Sequence, residues 1–345
     1  MTRYFPAEWH PQQAIQLTWP HKETDWNWIL PDIQSLFIEM INIITQYEDV
    51  ILSIPDEQTA NELSPKLTKQ PFQCRFYICK SDDTWARDHG PIGVFENKKL
   101  VIEDYIFNGW GGKFDATYDN QISDQLFQQH AYTAHTYENH NFILEGGSIE
   151  SDGQGCLLTT RKCLLNTNRN ASLNQAQIET YLKDALGSEK ILWLRHGDLL
   201  GDDTDAHIDT LARFAPNNQI IFQGCDDKQD EHFDELQAMK AELSQLTNTL
   251  NQPFTLVELP WPSAIYEKQD NQRLPATYAN FLFINGALLL PVYGVEQDAQ
   301  AIKVLTRALP NHKIIPINCA TVIRQYGSLH CLTMQIPTAE QLEVN

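Results

Sequence analysis

A single cysteine near the end of the chain, Cys331, lies in the run Gln325-Tyr326-Gly327-Ser328-Leu329-His330-Cys331-Leu332, where turn-permissive residues lead into a short apolar stretch ending at Pro337. That pattern suits a thiol carried to the rim of a packed site by a final strand. A cysteine in an apolar run is usually core, because free cysteine is among the most buried residue types. What lifts Cys331 above that reading is its company. Trp85-Ala86-Arg87-Asp88-His89-Gly90-Pro91, Glu145-Gly146-Gly147 and Gly201-Asp202-Asp203-Thr204-Asp205-Ala206-His207-Ile208-Asp209 supply carboxylates, an imidazole and an aromatic ring. Thiol, imidazole and carboxylates scattered over one chain make a plausible nucleophilic site.

His207 and Asp209 are two residues apart, so on a strand entering Leu211 they share a face and can present a base and an anion together. His330 would point away from Cys331 on an extended backbone, which leaves His207 as the better partner. Such a set suits a planar cation such as a guanidinium, which stays protonated near neutral pH. Two carboxylates, with Asp88 and Asp209 as the candidates, can bind its N–H fork and fix the central carbon against a thiolate. The same carboxylates raise the thiol's pKa, so a cation, either the substrate or protonated His207, must offset them. Each residue alone has a plainer role: Arg87 with Asp88 as a loop ion pair, Glu145 as a turn cap, Trp85 and Trp110 as packing, Asp202, Asp203 and Asp205 as a solvated loop. Their joint occurrence points to chemistry.

The 345 residues carry a formal net charge of -20. That field repels phosphate backbones and anionic lipid heads, so nucleic acid and membrane are poor partners and a small cation is a better one. Seven cysteines with no secretory leader before Tyr4 predict a cytoplasmic protein. Cys74 and Cys79 would leave opposite faces of one strand and share neither a metal nor a disulfide. No Cys-x-x-Cys pair, His-Glu-x-x-His or glycine-rich phosphate loop occurs, so neither metal nor cofactor is expected. The longest apolar runs, such as Ala287 to Leu290, are too short to span a bilayer.

Apolar spacing predicts helices over 32–47 and 57–67, strands over 50–54 and 74–79, and a hairpin over 94–106 turning at 96–99, while 6–21 shows no periodicity. A unit of strand, helix (175–186), turn and strand runs from Cys156 to Leu194. It recurs at 287–317 with a helix over 299–309, and at 217–259 with a helix over 230–250. Recurrence in fixed order predicts a ring or array of modules sharing one core, hence a single domain over 1–345. The loops holding Asp88, Glu145, His207, Asn280 and Cys331 would converge on one cavity.

Six stretches, Asp82 to Pro91, Phe107 to Lys113, Leu144 to Glu150, Asn168-Arg169-Asn170, Gly201 to Asp209 and Gly327 to Thr333, together resemble the agmatine deiminases over nearly the whole chain. These enzymes fall within the Porphyromonas-type peptidylarginine deiminase group of the guanidine-modifying superfamily. The resemblance implies an α/β fold, a pseudo-fivefold α/β propeller of repeated ββαβ modules around a central active site. It implies Cys331 as nucleophile, His207 as general acid/base, Glu145 as the carboxylate orienting it, Asp88 and Asp209 as the guanidinium clamp, and Trp85 and Asn280 as pocket residues. Two departures from the family's pattern stand out: Gln325-Tyr326-Gly327-Ser328 replaces the run of three glycines then Asn that many members carry, and Ala206 replaces the usual glycine. The implied reaction is hydrolysis of agmatine to N-carbamoylputrescine and ammonia, with no cofactor; a homodimer is left open. A peptidylarginine deiminase, a cysteine peptidase and a non-enzymatic polyamine-binding protein are the rivals. Specificity against arginine would come from negative charge at the far end of the pocket, with Asp203 as the candidate.

Overall fold

A computed structural model describes residues 3–134 and 136–338. The stretch read as aperiodic contains the strand Gln12–Thr18, which is buried on both faces, so its sequence carries no polar alternation. It pairs in parallel with Asp49–Ile54, which pairs in parallel with Cys74–Ile78, and antiparallel with Met334–Pro337 from the other end of the chain. The helix Leu30–Ile44 makes the first parallel crossover, with proline in its first turn and Ile33, Leu36, Phe37, Met40, Ile41 and Ile44 buried along one stripe.

The same order, an antiparallel pair followed across a helix by a parallel strand, recurs in four more sheets among the described residues. One holds Ile92–Glu96, Lys99–Ile106 and Thr136–Ile143, with the helix Ile122–Gln128 in its crossover and Arg3–Tyr4 on its edge. The next holds Ile149–Ser151, Cys156–Thr160 and Lys190–Leu194 around the helix Gln175–Leu186. Ala212–Ala215, Gln219–Gln223 and Thr255–Leu259 follow with the helix Phe233–Leu243. Leu282–Ile284, Ala287–Val292 and Lys313–Asn318 complete the set around the helix Asp298–Ala308. The result is a mixed α/β fold built of small sheets, two more of the units than the three legible in the sequence.

Local chemistry explains the agreements and the misses. The hairpin turns at Asn97 and Lys98, both at positive φ (50° and 66°), the conformation a two-residue turn needs to match strand twist. The helix expected over 230–250 stops at Leu243. Beyond it the Asn248 side chain accepts the backbone N–H groups of Leu250 and Gln252, and Asn251 turns left-handed, so a side-chain-stapled loop replaces the last helical turns. Cys74 and Cys79 do face opposite ways, the first against the core containing Phe37 and the second against that containing Phe95. Among the described residues no helix is long and apolar enough to cross a membrane.

Candidate active site

In every sheet the loop that carries a candidate residue follows the third, parallel strand. Asp88 comes after Cys74–Ile78, Glu145 after Thr136–Ile143, His207 and Asp209 after Lys190–Leu194, Asn280 after Thr255–Leu259, and Cys331 after Lys313–Asn318. The ends of parallel strands are where open backbone and convergent loops build sites. A cavity of about 530 Å³ opens there, lined by Trp85, Asp88, Asp203, Asp209, Gly327 and Cys331 among others.

Asp88 stands on the one-turn helix Ala86–His89. Its Oδ1 accepts the Gly147 backbone N–H at 3.0 Å and its Oδ2 accepts Trp110 Nε1–H at 3.0 Å. His207 Nδ1 lies 3.5 Å from Oδ1. To reach Asp88, Trp110 takes a left-handed backbone (φ 54°), which the Asn108 side chain braces by accepting the Gly111 N–H; a bulky residue in that region marks a site held by its surroundings. Trp85 donates its indole N–H to Asp83 and packs against Trp26 and Trp110.

His207 and Asp209 are not on a strand, as their spacing predicted. Asp205 and Ala206 turn left-handed (φ 70° and 64°), and Ile208–Thr210 forms a 3-10 turn that aims Asp209 into the cavity. Cys331 likewise sits on a 3-10 turn, His330–Leu332, with the strand beginning only at Met334. Because the turn is tight, His330 does not diverge from the site: its Nδ1 is 2.8 Å from Asp209 Oδ2, the oxygen that also faces Cys331 Sγ at 3.7 Å. Asn280, expected on the pocket wall, lies fully buried beneath this turn. Its Oδ1 accepts the backbone N–H of His330 at 2.9 Å and of Cys331 at 3.4 Å, and lies 3.5 Å from the thiol. Among the described residues Asp209 Oδ1 is buried with no hydrogen-bond partner, while the His207 ring has the Asp88 carboxylate and the Cys163 thiol against it.

The charges follow from this packing. Burial raises the Asp88 pKa to about 6, with Asp209 and Glu145 adding to the rise and His207 opposing it. Burial alone would lower His207, but Asp88, Cys163 and Glu145 hold it well above its ordinary value. Burial works against ionised Asp209 too, yet His330, His207 and Arg213 keep it below the usual carboxylate range. The Cys331 thiol is pushed well up by burial, Asp209 and Asp88. These directions favour a protonated thiol and a charged imidazole at rest, with Asp209 Oδ1 buried and unpaired.

Glu145 does not hydrogen-bond His207. Both of its oxygens accept Arg169 Nε–H, at 2.9 and 3.0 Å, and Arg169 also donates to Asp205 Oδ2 at 2.7 Å and to the Thr204 carbonyl at 3.0 Å. Arg169 thus ties the acidic loop to the site, a role visible in the sequence only as the centre of Asn168-Arg169-Asn170. Glu145, Cys163 and His207 each offer an atom within 4.8 Å of the others, a spacing open to a metal. Arg169 already neutralises that carboxylate, so the trio is satisfied as a charged wall beside the site. In the acidic loop, Asp202 accepts the N–H groups of Thr204 and Ala206, and Asp205 pairs with Lys113 and Arg169. Asp203 lines the cavity, its pKa raised to about 6 by burial and Asp202. Tyr326 and Ala206, where the resembling family uses glycine, both sit at φ 64°, which accounts for that preference.

Residues 4–337 match the family described as Porphyromonas-type peptidyl-arginine deiminase. An agmatine deiminase from Stutzerimonas stutzeri is 31% identical over 97% of this chain and 95% of its own. The structure of a C. jejuni agmatine deiminase with substrate bound superposes with a TM-score of 0.91 at 40% identity, covering 98% of this chain and 97% of that one. Likeness extends to a dimethylarginine dimethylaminohydrolase at 12% identity and a TM-score of 0.50, over 94% of this chain and all of the other (100%), which bears on the fold alone.

Proposed function

The chain belongs to the Porphyromonas-type peptidyl-arginine deiminase family, and from that premise we propose that it hydrolyses agmatine to N-carbamoylputrescine and ammonia through a covalent adduct on Cys331. The observation that carries the reading is the thiol set 3.7 Å from Asp209, with Asp88 adding to the rise in its pKa and Asp209 Oδ1 left unpaired. Such a thiol cannot ionise readily until a cation enters. A guanidinium supplies that cation, bridges Asp88 and Asp209 through its N–H fork, and presents its carbon to sulfur.

As the bound cation lowers the thiol's pKa, Cys331 gives its proton up to solvent in the open cavity and the sulfur adds to the guanidinium carbon. The C–N bond to the departing amino group breaks as His207, charged in the resting site, protonates it to ammonia. This leaves an S-alkylthiouronium, and the now neutral His207 takes a proton from the water that attacks it, after which the C–S bond breaks, the adduct's hydroxyl proton passing to sulfur, to release the carbamoyl product and restore the thiol. Arg169 fixes Glu145 beside His207, whose charge the carboxylate supports, and Asn280 holds the turn that presents the sulfur. Trp85 forms the aromatic wall of the cavity, and a ring beside the bound cation stabilises it.

A thiol-imidazole peptidase gains nothing from two clamp carboxylates, and a polyamine-binding protein has no use for Cys331. An arginyl peptide would need room for its backbone and a partner for its carbonyl groups, whereas this cavity is edged by Asp203, Asp202, Asp83 and Asp25, which favour an amine tail. We also infer that the five sheets are modules of a pseudo-fivefold α/β propeller forming one domain. The recurring strand order and the pairing of Met334–Pro337 with Gln12–Thr18, which joins the two chain ends in one sheet, support it. The net charge of -20 supports a protein without nucleic-acid or membrane partners, in keeping with a cytoplasmic home. Ammonia release from agmatine, free arginine and an arginyl peptide, measured side by side on the parent and Cys331→Ala, tests the function. Turnover of agmatine that vanishes in Cys331→Ala is expected. A preference for the peptide, or ammonia from the variant, would overturn it.

A further inference from the structure

We propose that His330 is a positioning residue for the guanidinium clamp, donating Nδ1–H to Asp209 Oδ2, the oxygen that faces the Cys331 sulfur, so that the carboxylate cannot rotate away from the thiol. The inference rests on the agmatine reading and adds to it a residue that touches neither substrate nor the reacting carbon. A carboxylate on a two-atom side chain can rotate, and a clamp that rotates presents its lone pairs in the wrong plane for a bidentate contact. Asp209 is held against this. Its Oδ2 lies 2.8 Å from His330 Nδ1, while Oδ1 is buried without a protein partner.

His330 is itself fixed from behind. Its Nε2 lies 2.6 Å from Glu8 Oε2, and its backbone N–H is held by Asn280. Glu8 is anchored in turn: Oε1 accepts the Phe283 N–H at 2.8 Å, and Oε2 meets Arg213 Nη2 at 2.8 Å. Arg213 is locked by Glu150 at 2.8 Å and by the Phe281 carbonyl at 2.6 Å. The clamp is thereby braced, through an imidazole and two ion pairs, on the strands Ala212–Ala215 and Leu282–Ile284. All of these groups are buried, where hydrogen bonds are strong and a misplaced partner is costly. His330 adjoins Cys331 in the chain, so the turn that presents the nucleophile also sets the clamp, and sulfur and guanidinium carbon are registered by one element.

The two ring nitrogens can be replaced one at a time. The amide nitrogen of asparagine falls near Nδ1, so His330→Asn keeps the donor to Asp209 and gives up Glu8. That of glutamine falls near Nε2, so His330→Gln keeps Glu8 and gives up Asp209. Agmatine binding is measured by calorimetry in a Cys331→Ala background, with thermal melts to show that each variant is folded. Each variant loses one hydrogen bond to a carboxylate, but only His330→Gln loses the one to the clamp, so His330→Asn is expected to bind agmatine roughly ten- to a hundred-fold more tightly than His330→Gln. A residue that served only to fill the core would weaken both alike. Equal affinities, or tighter binding by His330→Gln, would overturn the assignment. Failure of the Cys331→Ala parent to bind agmatine at all would refute the functional reading, and the assignment with it. If neither variant folds, the ring of the parent decides by nitrogen-15 NMR: an Nδ1 that carries a proton supports the role, and a bare Nδ1 refutes it.

Discussion

Replacing Gly147 by alanine tests the geometry of the site more sharply than removing any of its charges. The backbone at Gly147 needs no left-handed conformation, so the substitution acts only through the added methyl group. A Cβ there would lie 2.6 Å from His207 Nδ1, 2.7 Å from Asp88 Oδ1 and 3.2 Å from Asp209 Oδ2. Ordinary contact begins near 3.4 Å, so the imidazole and the nearer carboxylate must each retreat by about 0.7–0.8 Å, in directions already filled by packed groups. Displacements approaching 1 Å of groups that orient a reaction cost on the order of a hundred-fold in rate. Gly147→Ala is therefore expected to lower kcat/KM for agmatine by about two orders of magnitude, read by continuous ammonia release, while circular dichroism shows the fold retained. A folded variant within threefold of the parent would refute the claim that His207, Asp88 and Asp209 meet around this glycine as a rigid unit.

Asp88, with its pKa raised to about 6, is protonated below that pH, so KM for agmatine should rise as pH falls through 6. In Asp88→Asn this acid limb should disappear, with binding weaker by roughly ten- to a hundred-fold at pH 8; a limb that persists would assign the titration elsewhere. Asp203→Asn should narrow the ratio of agmatine to arginine efficiency, since a half-buried negative charge beside the tail repels a carboxylate; an unchanged ratio in folded protein rules this residue out as the discriminator. Outside the cavity lining, burial holds the Glu48 carboxyl up at about 8 against an ordinary 4.5, with Oε1 unpaired. The folded state binds the extra proton between those values, so this group destabilises the protein increasingly as pH rises from 4.5 to 8, at up to about 1.4 kcal/mol per pH unit. Glu48→Gln should thus raise the melting temperature at pH 8 and change it little at pH 5, and equal shifts at both would disprove the linkage.

Residue types were enough to nominate Cys331, His207, Asp88 and Asp209 as candidates, and fixed-order recurrence to read three repeating units, because amphipathic helices and strand-bounding turns leave periodic marks in a chain. The two further units were not legible: one is interrupted by loops rich in site residues, and the other is assembled from both ends of the chain, with Gln12–Thr18 buried on both faces and so lacking alternation. Local spacing also misplaced the site's own side chains. His207, Asp209 and Cys331 lie on tight turns, not strands, since left-handed Asp205, Ala206 and Tyr326 bend the backbone where propensity favours extension. Contacts set by packing between distant segments were invisible in one dimension. Arg169 on Glu145, Asn280 beneath the thiol, and the line from Asp209 through His330 and Glu8 to Arg213 join residues up to 322 positions apart. The sequence by itself determined which carboxylates, imidazoles and thiols the chain has to offer; only the tertiary structure decided that Asp209 Oδ2 meets His330 while Oδ1 stays unpaired, because that depends on how buried groups from separate sheets pack against one another.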